Sequence, residues 1–258
     1  MALEIEDVGR VRVLRINRPD ALNAMNNDVY GAIYGALVEA ESAEGVAVVV
    51  LTGSGDRAFS AGQDLTEMLA VSDDGTHQFP AMLEAVTSFP KPLIAAVNGL
   101  GVGIGMTILA HCDLVLMSTD ARLRTPFPQL GLAPEAASSY TFATRVGWQN
   151  AAYVLLSGRW FSAQECLDMG FAWRLSEPDA LYADTLAVAQ EIAANPIPSL
   201  IATKELMLES SGRKADAIAA CHRELRAYEP LVGGSANREA IAAFLEKRDP
   251  NFSSIPGL

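Results

Sequence analysis

The 258-residue chain is half hydrophobic and only 19% charged, enough apolar material for a sizeable core in one large domain or two small ones. A formal net charge of -12 argues against a nucleic-acid partner, which requires a basic face. Three cysteines, Cys112, Cys166 and Cys221, lack zinc or redox spacing, and their odd number suits a reducing compartment. The opening MALEIEDVGR has neither a basic nor an apolar leader region, and the closing SSIPGL is not a peroxisomal address. A cytoplasmic location is therefore expected.

RVRVLRIN (Arg10 to Asn17) alternates with a period of two and predicts a strand. Val11 and Val13 point inward, with Leu14 or Ile16 as further inward candidates. ALNAMNNDVYGAIYGALVEA predicts a helix over Ala21 to Ala40, despite two glycines. VAVVVLTG (Val46 to Gly53) is a β-branched run, as expected of a strand buried on both faces. Leu93 to Ala110 carries no charge over 18 residues, long enough to raise a membrane span. Asn98 and the alternating Gly99, Gly101, Gly103 and Gly105 divide it instead into a buried strand, a glycine turn and a short buried helix. No membrane partner is expected. Asp113 to Ser118 adds another strand, and the strand–helix alternation implies a mostly parallel sheet. Beyond about residue 136 strand signals nearly cease, Phe171 to Ser176 being the last. Helical 3–4 spacing then runs through Asp179 to Pro196, Pro198 to Ser210, Gly212 to Glu229 and Asn237 to Asp249. The Ala-rich stripes of the last two leave little to bury inside one chain, which predicts oligomerisation.

The glycine run Gly99 to Gly105 lacks the GxGxxG spacing of a dinucleotide site, and Asp120 falls in a polar turn where that site needs an acid at a strand end. Two readings remain: a turn where backbones pass closely, or a helix start whose N–H groups face an anion or a developing oxyanion. AFSAGQDL (Ala58 to Leu65) is a second such turn. Ser60, Ser138 and Ser139 sit in no GxSxG elbow. His77, His111 and His222 form no metal-binding pair, and His111 beside Cys112 reads as a core or boundary histidine. No metal is expected. Glu135 is the one charged residue of TPFPQLGLAPEAASSYTF (Thr125 to Phe142). Carboxylates are rarely fully buried, so it is either a solvent-facing acid at a helix start or a functional one. Pro134 suits a first helical position, which predicts Glu135 in a first helical turn where the dipole favours its anion. Its apolar neighbours Phe127, Leu132 and Ala136 push its pKa upward.

AFSAGQDL resembles the first oxyanion turn of the crotonase, or enoyl-CoA hydratase/isomerase, superfamily. KPLIAAVNGLGVGIGMTILAHCDLVLMS resembles the second, and FLEKRDPNF (Phe244 to Phe252) the family's C-terminal helix. The likeness covers nearly the whole chain in order. It implies an α/β fold: a spiral of ββα turns over residues 1–195, then a helical trimerisation region over 196–258. It implies an acyl-CoA thioester substrate, a homotrimer or homohexamer, and an enolate held by the backbone amides of Gln63 and Ile104. No cofactor is implied beyond the coenzyme A of the substrate. Ser60, Ala61, Gly62, Asp64, Leu65, Gly103, Phe127 and Leu132 would line the substrate, and Phe244 and Lys247 would reach a neighbouring subunit's nucleotide.

The departures are as informative. Family hydratases carry one glutamate in the helix after the second oxyanion turn, where this chain has Thr107, and another in a QPE stretch, where it has Phe127 in TPF. Water addition by that pair is therefore not expected. The Glu135 stretch resembles that of peroxisomal-type Δ3,Δ2-enoyl-CoA isomerases, in which the matching glutamate is the catalytic base. Rival readings are a dienoyl-CoA isomerase, another thioester reaction such as hydration, hydrolysis or dehalogenation, and a non-catalytic acyl-CoA-binding subunit.

Overall fold

The computed structural model describes residues 1–64, 67 and 77–255. The chain opens with a hairpin, β1 (Leu3–Val8) against β2 (Val11–Ile16), followed by helix α1 (Asn27–Ser42). Strands β3 (Val48–Gly53) and β4 (Ala58–Ser60) lead to helix α2 (Phe79–Ser88). Strands β5 (Leu93–Val97) and β6 (Leu100–Val102) lead to the short helix α3 (Ile104–Thr107). Strands β7 (Leu114–Ser118) and β8 (Arg122–Arg124) precede α4 (Ser138–Val146) and α5 (Trp148–Ser157). Then come β9 (Phe161–Ser162), α6 (Ala163–Asp168) and β10 (Arg174–Ser176). Helices α7 (Leu181–Ala193), α8 (Ile197–Ser210), α9 (Arg213–Tyr228) and α10 (Ser235–Leu245) complete the chain.

Equivalent strands of successive turns pair in parallel, which makes a spiral. The long strands form a six-stranded sheet ordered β1-β2-β3-β5-β7-β10, and the short ones a second sheet ordered β4-β6-β8-β9. Alternation assigns the two faces of the long sheet. Val11, Val13, Val48, Val50, Ile94, Ala96 and Leu116 pack against Leu181, Val188, Ala189 and Ala193 of α7. Leu14, Ile16, Val49, Leu51, Ala95, Val97, Val115 and Met117 face α1 and the interior of the spiral. Val11, Val13, Leu14 and Ile16 are thus all inward, on opposite faces. Each fully buried aliphatic side chain contributes about 1.5–3 kcal/mol, which is why the central strands read as unbroken apolar runs. β1 escaped the sequence reading because LEIEDV exposes most of its residues at the sheet edge.

Three expectations need correction. The first helix begins at Asn27, not Ala21: the Asn26 side chain accepts the Val29 amide at 3.1 Å and caps it. Ahead of that cap Leu22 and Asn23 are left-handed, and the buried Asn23 amide donates to the Ser54 and Ala58 carbonyls at 2.9 and 2.7 Å. These side-chain bonds compete with the helical ladder and displace it. Next, Glu135 lies outside any helix, since α4 starts at Ser138 after two left-handed alanines, Ala136 and Ala137 (φ 57° each). Finally, the Ala217/Ala220 stripe of α9 is buried within the single chain against Ala137 and Tyr140. The apolar residues left exposed are others, among them Leu206, Met207, Leu225, Leu231, Val232 and Leu245.

Candidate active site

Two backbone turns meet where β4 and β6 end. The first is stitched to the segment before α1: Ala61 N–H donates to Leu22 O at 2.9 Å, Met25 N–H to Gly62 O at 2.7 Å, and Asp64 N–H to Met25 O at 2.9 Å. Bonds from Gly62 and Asp64 to one residue are the pattern of a parallel bridge, here between Met25 and Gln63. The Gln63 N–H between them must face the opposite way. In the second turn, Gly103 is left-handed (φ 53°) and starts α3, so Ile104 N–H has no partner inside the helix. Among the described residues neither the Gln63 nor the Ile104 amide has a hydrogen-bond acceptor. Two glycines let the turns touch. A Cβ on Gly62 (φ 95°) would stand 2.7 Å from Val102 O, and one on Gly105 would collide with Ser60 O.

The acid comes from the loop before α4. Thr107, one helical turn beyond Ile104 and so roughly 5 Å along the axis, donates its hydroxyl to Glu135 Oε1 at 2.7 Å. Glu135 as a residue is half-buried, but its Oε2 is closed off from solvent and has no hydrogen-bond partner among the described residues. Burial pushes the carboxyl pKa up to about 8; the Thr107 hydroxyl opposes that shift and the charge of Glu224 adds to it. Desolvation thus outweighs the stabilisation expected from a helix start. The phenols of Tyr30 and Tyr228 are also raised by burial, with the Glu135 charge adding to both, which places them in its field. His111 is fully packed: its Nε2 lies 2.8 Å from Ala136 O and its Nδ1 3.2 Å from the Thr87 hydroxyl. A carbonyl only accepts, so Nε2 carries the hydrogen. Burial lowers this histidine to about 4, so it is neutral at physiological pH.

One basic-free acid, two free amides and a close-packed pair of glycine turns can hold and deprotonate a carbonyl compound. The family model described as enoyl-CoA hydratase/isomerase matches residues 6–255. The chain belongs to that family. It is 32% identical over 252 residues to a protein of Rhizobium meliloti (strain 1021) named probable enoyl-CoA hydratase, with 97% of each chain covered. It is 33% identical over 217 residues to enoyl-CoA delta isomerase 2 of Rattus norvegicus, covering 81% of this chain and 55% of the rat protein. A crystal structure of an enoyl-CoA hydratase/isomerase from Pseudoalteromonas atlantica T6c superposes with a TM-score of 0.93 at 35% identity, over 98% of this chain and all of that one.

Within this enoyl-CoA hydratase/isomerase chain, Ser60, Ala61, Gly62, Gln63, Asp64, Gly103 and Ile104 form one backbone assembly. Ser60 is buried and its hydroxyl accepts the Gly62 amide at 3.2 Å, while Asp64 is held by Arg18 at 2.9 Å. Phe127 and Leu132 are buried in the segment leading to Glu135, closed by the Leu132 N–H to Phe127 O bond of 2.9 Å. Leu65 and the side chain of Phe244 lie outside the described residues. Lys247 is exposed past the end of α10. Helix α10 packs against its own chain, where Asn237 donates to Leu130 O at 2.8 Å. Cutting the chain before Asn237 would therefore disturb the loop that carries Glu135. Among the described residues no cluster of three or more His, Cys, Asp or Glu is placed to hold a metal ion, and no helix is long and apolar enough to cross a membrane.

Sequence reasoning passed over Thr107 as a donor, His111 as a loop fastener and Glu224 altogether. A signal existed for Glu224: it continues the stripe Ala217, Ala220, Cys221 at helical spacing, and an acid in an apolar stripe asks for a buried partner.

Proposed function

We propose that this enzyme converts 3-enoyl-CoA to trans-2-enoyl-CoA, with Glu135 as the one base and the Gln63 and Ile104 amides as the oxyanion hole. The observation that carries the reading is the buried Oε2 of Glu135, beside Thr107 and without a hydrogen-bond partner among the described residues. Oε2 takes a proton from C2 of the acyl chain. The released electron pair forms the C1–C2 double bond of an enolate, and the negative charge on the thioester oxygen is met by the two N–H groups. The carbonyl then re-forms, the double bond moves to C2–C3, and C4 takes the proton back from Oε2. No water or redox partner enters. Hydration would need help at two atoms, and the family resemblance puts the buried Thr107 and Phe127 at the places of the hydratases' two acids. A carboxyl near 8 is a strong enough base for an acidic carbon once ionised.

The base works as the anion, so kcat/KM should rise with pH through about 8 and level off above it. Thr107→Val removes the bond that favours the anion. Its rise is expected at higher pH than in wild type, with turnover at pH 7 reduced several-fold, and an unmoved profile would show that the hydroxyl does not tune Glu135. The substrate test measures formation of the conjugated thioester by its absorbance when 3-enoyl-CoA is added, against loss of that absorbance when 2-enoyl-CoA is hydrated. Isomerisation should dominate by about a hundredfold or more, corresponding to barriers differing by at least ~2.7 kcal/mol. Comparable turnovers would remove the one-base scheme. The exposed apolar residues of α8, α9 and the segment after it support assembly as a trimer or a stacked hexamer on this same reading.

A further inference from the structure

We propose that Glu224, on α9, is a positioning residue: its carboxylate grips the two left-handed residues that follow Glu135 and so fixes where the Glu135 carboxylate points. The inference rests on the reading of Glu135 as the base. Ala136 and Ala137 both have φ of 57°, a conformation that L-residues other than Asn and Asp seldom adopt and that persists only where the surroundings enforce it. Here the enforcement is visible. Glu224 Oε2 accepts the Ala137 N–H at 2.7 Å and Oε1 accepts the Ser139 N–H at 2.8 Å. Those amides belong to the start of α4, whose N-terminus has no side-chain cap of its own within the loop. A carboxylate delivered from a helix 85 or more residues later takes the place of that cap. On the other side of the same turn, His111 donates to Ala136 O at 2.8 Å. The Glu135 carbonyl is itself held by the Ser138 hydroxyl at 2.6 Å and the Ser138 amide at 3.1 Å.

The side chain is also costly to keep. Glu224 is 6% exposed and continues the Ala217/Ala220 stripe that packs on Ala137 and Tyr140, where an apolar residue would avoid the cost of burying a charge. Each of its oxygens accepts one backbone amide of the turn. The C-terminal helices thereby take part in building the site from within the same chain. The Glu224 charge also adds to the upward shift of the Glu135 carboxyl, so the variants are compared at a pH well above 8, where Glu135 is ionised in all of them.

The test compares wild type with Glu224→Gln and Glu224→Asp. Glutamine keeps the size but offers one oxygen for two N–H groups, and aspartate keeps the charge but is one methylene too short to span both. In both variants kcat for 3-enoyl-CoA isomerisation is expected to fall tenfold or more with KM within about twofold, since the oxyanion turns that hold the thioester are untouched. A loss of packing alone would move KM and melting temperature with kcat. If the glutamine variant does not fold, the aspartate variant decides. Hydrogen exchange at the Ala137 and Ser139 amides is read in parallel, with protection expected to drop at least tenfold. Wild-type kcat with unchanged protection would overturn the proposal. Failure of the base reading shows separately, as turnover retained by Glu135→Gln.

Discussion

Glu135→Gln should lose about a thousandfold of isomerase turnover, within the range that positioned proton transfer contributes, while binding acyl-CoA with affinity within a few-fold of wild type. The amide is nearly isosteric and can still accept the Thr107 hydroxyl, so the loop stays in place. What is lost is the oxygen that accepts a proton. A variant that keeps more than about a tenth of turnover has lost barely 1.4 kcal/mol of barrier, too little for the base. The same substitution carries a stability signature of known sign. The folded-state pKa of Glu135, about 8, lies above its ordinary value of 4.5, so the folded chain holds a proton that the unfolded chain releases earlier. Wild-type stability therefore falls as pH rises from about 4.5 to about 8, by up to ~1.4 kcal/mol per unit of displacement. Glu135→Gln has no such dependence and should melt higher than wild type at pH 8 to 9, with the gap closing toward pH 5. Parallel melting curves for the two proteins across that range would mean that the carboxyl is not held protonated by burial.

Replacing the Ile104 amide by an ester, through the corresponding hydroxy acid, should lower kcat by about 10²–10³, the usual cost of removing one oxyanion donor. The ester keeps the Ile104 side chain, which is buried in the core. It deletes one N–H that no acceptor in the described chain uses, but it also weakens the Gly103 carbonyl that accepts the Met106 and Thr107 amides, so the melting temperature is measured beside kcat. KM should change far less than kcat, because the thioester oxygen bears full charge only in the enolate. Gly105→Ala attacks the same feature mechanically. Its Cβ would collide with Ser60 O and push the two turns apart, so both amides go out of register. An ester variant with wild-type kcat would place the oxyanion elsewhere.

The sequence exposes its spiral because each central strand is buried on both faces and so shows an unbroken β-branched run, as in Val48 to Gly53. The glycine turns are equally legible, since Gly62 and Gly105 each occupy a place that no Cβ can enter. Legibility fails where a long-range contact overrides a local rule. Pro134 and Glu135 look like a helix start, but Glu224, His111 and Ser138 together hold the turn at Ala136 and Ala137 in a left-handed shape and delay α4 to Ser138. The stretch from Ala21 to Met25 has helical residues, yet the buried Asn23 side chain captures two carbonyls of the next strand connection. Neither partner is within reach of a local pattern. The upward push of apolar neighbours on Glu135 was readable; the Thr107 hydroxyl that opposes it and the Glu224 charge that adds to it were not, because both come from contacts distant in sequence.

The most direct test of a single proton carrier uses 3-enoyl-CoA deuterated at C2, converted by wild type in ordinary water through its first turnover. Because Oε2 of Glu135 is closed off from solvent, the deuteron it removes from C2 should reach C4 before it can exchange, and part of the product should carry deuterium at C4. Product with only solvent hydrogen at C4, even in that first turnover, would contradict transfer by one buried carboxylate.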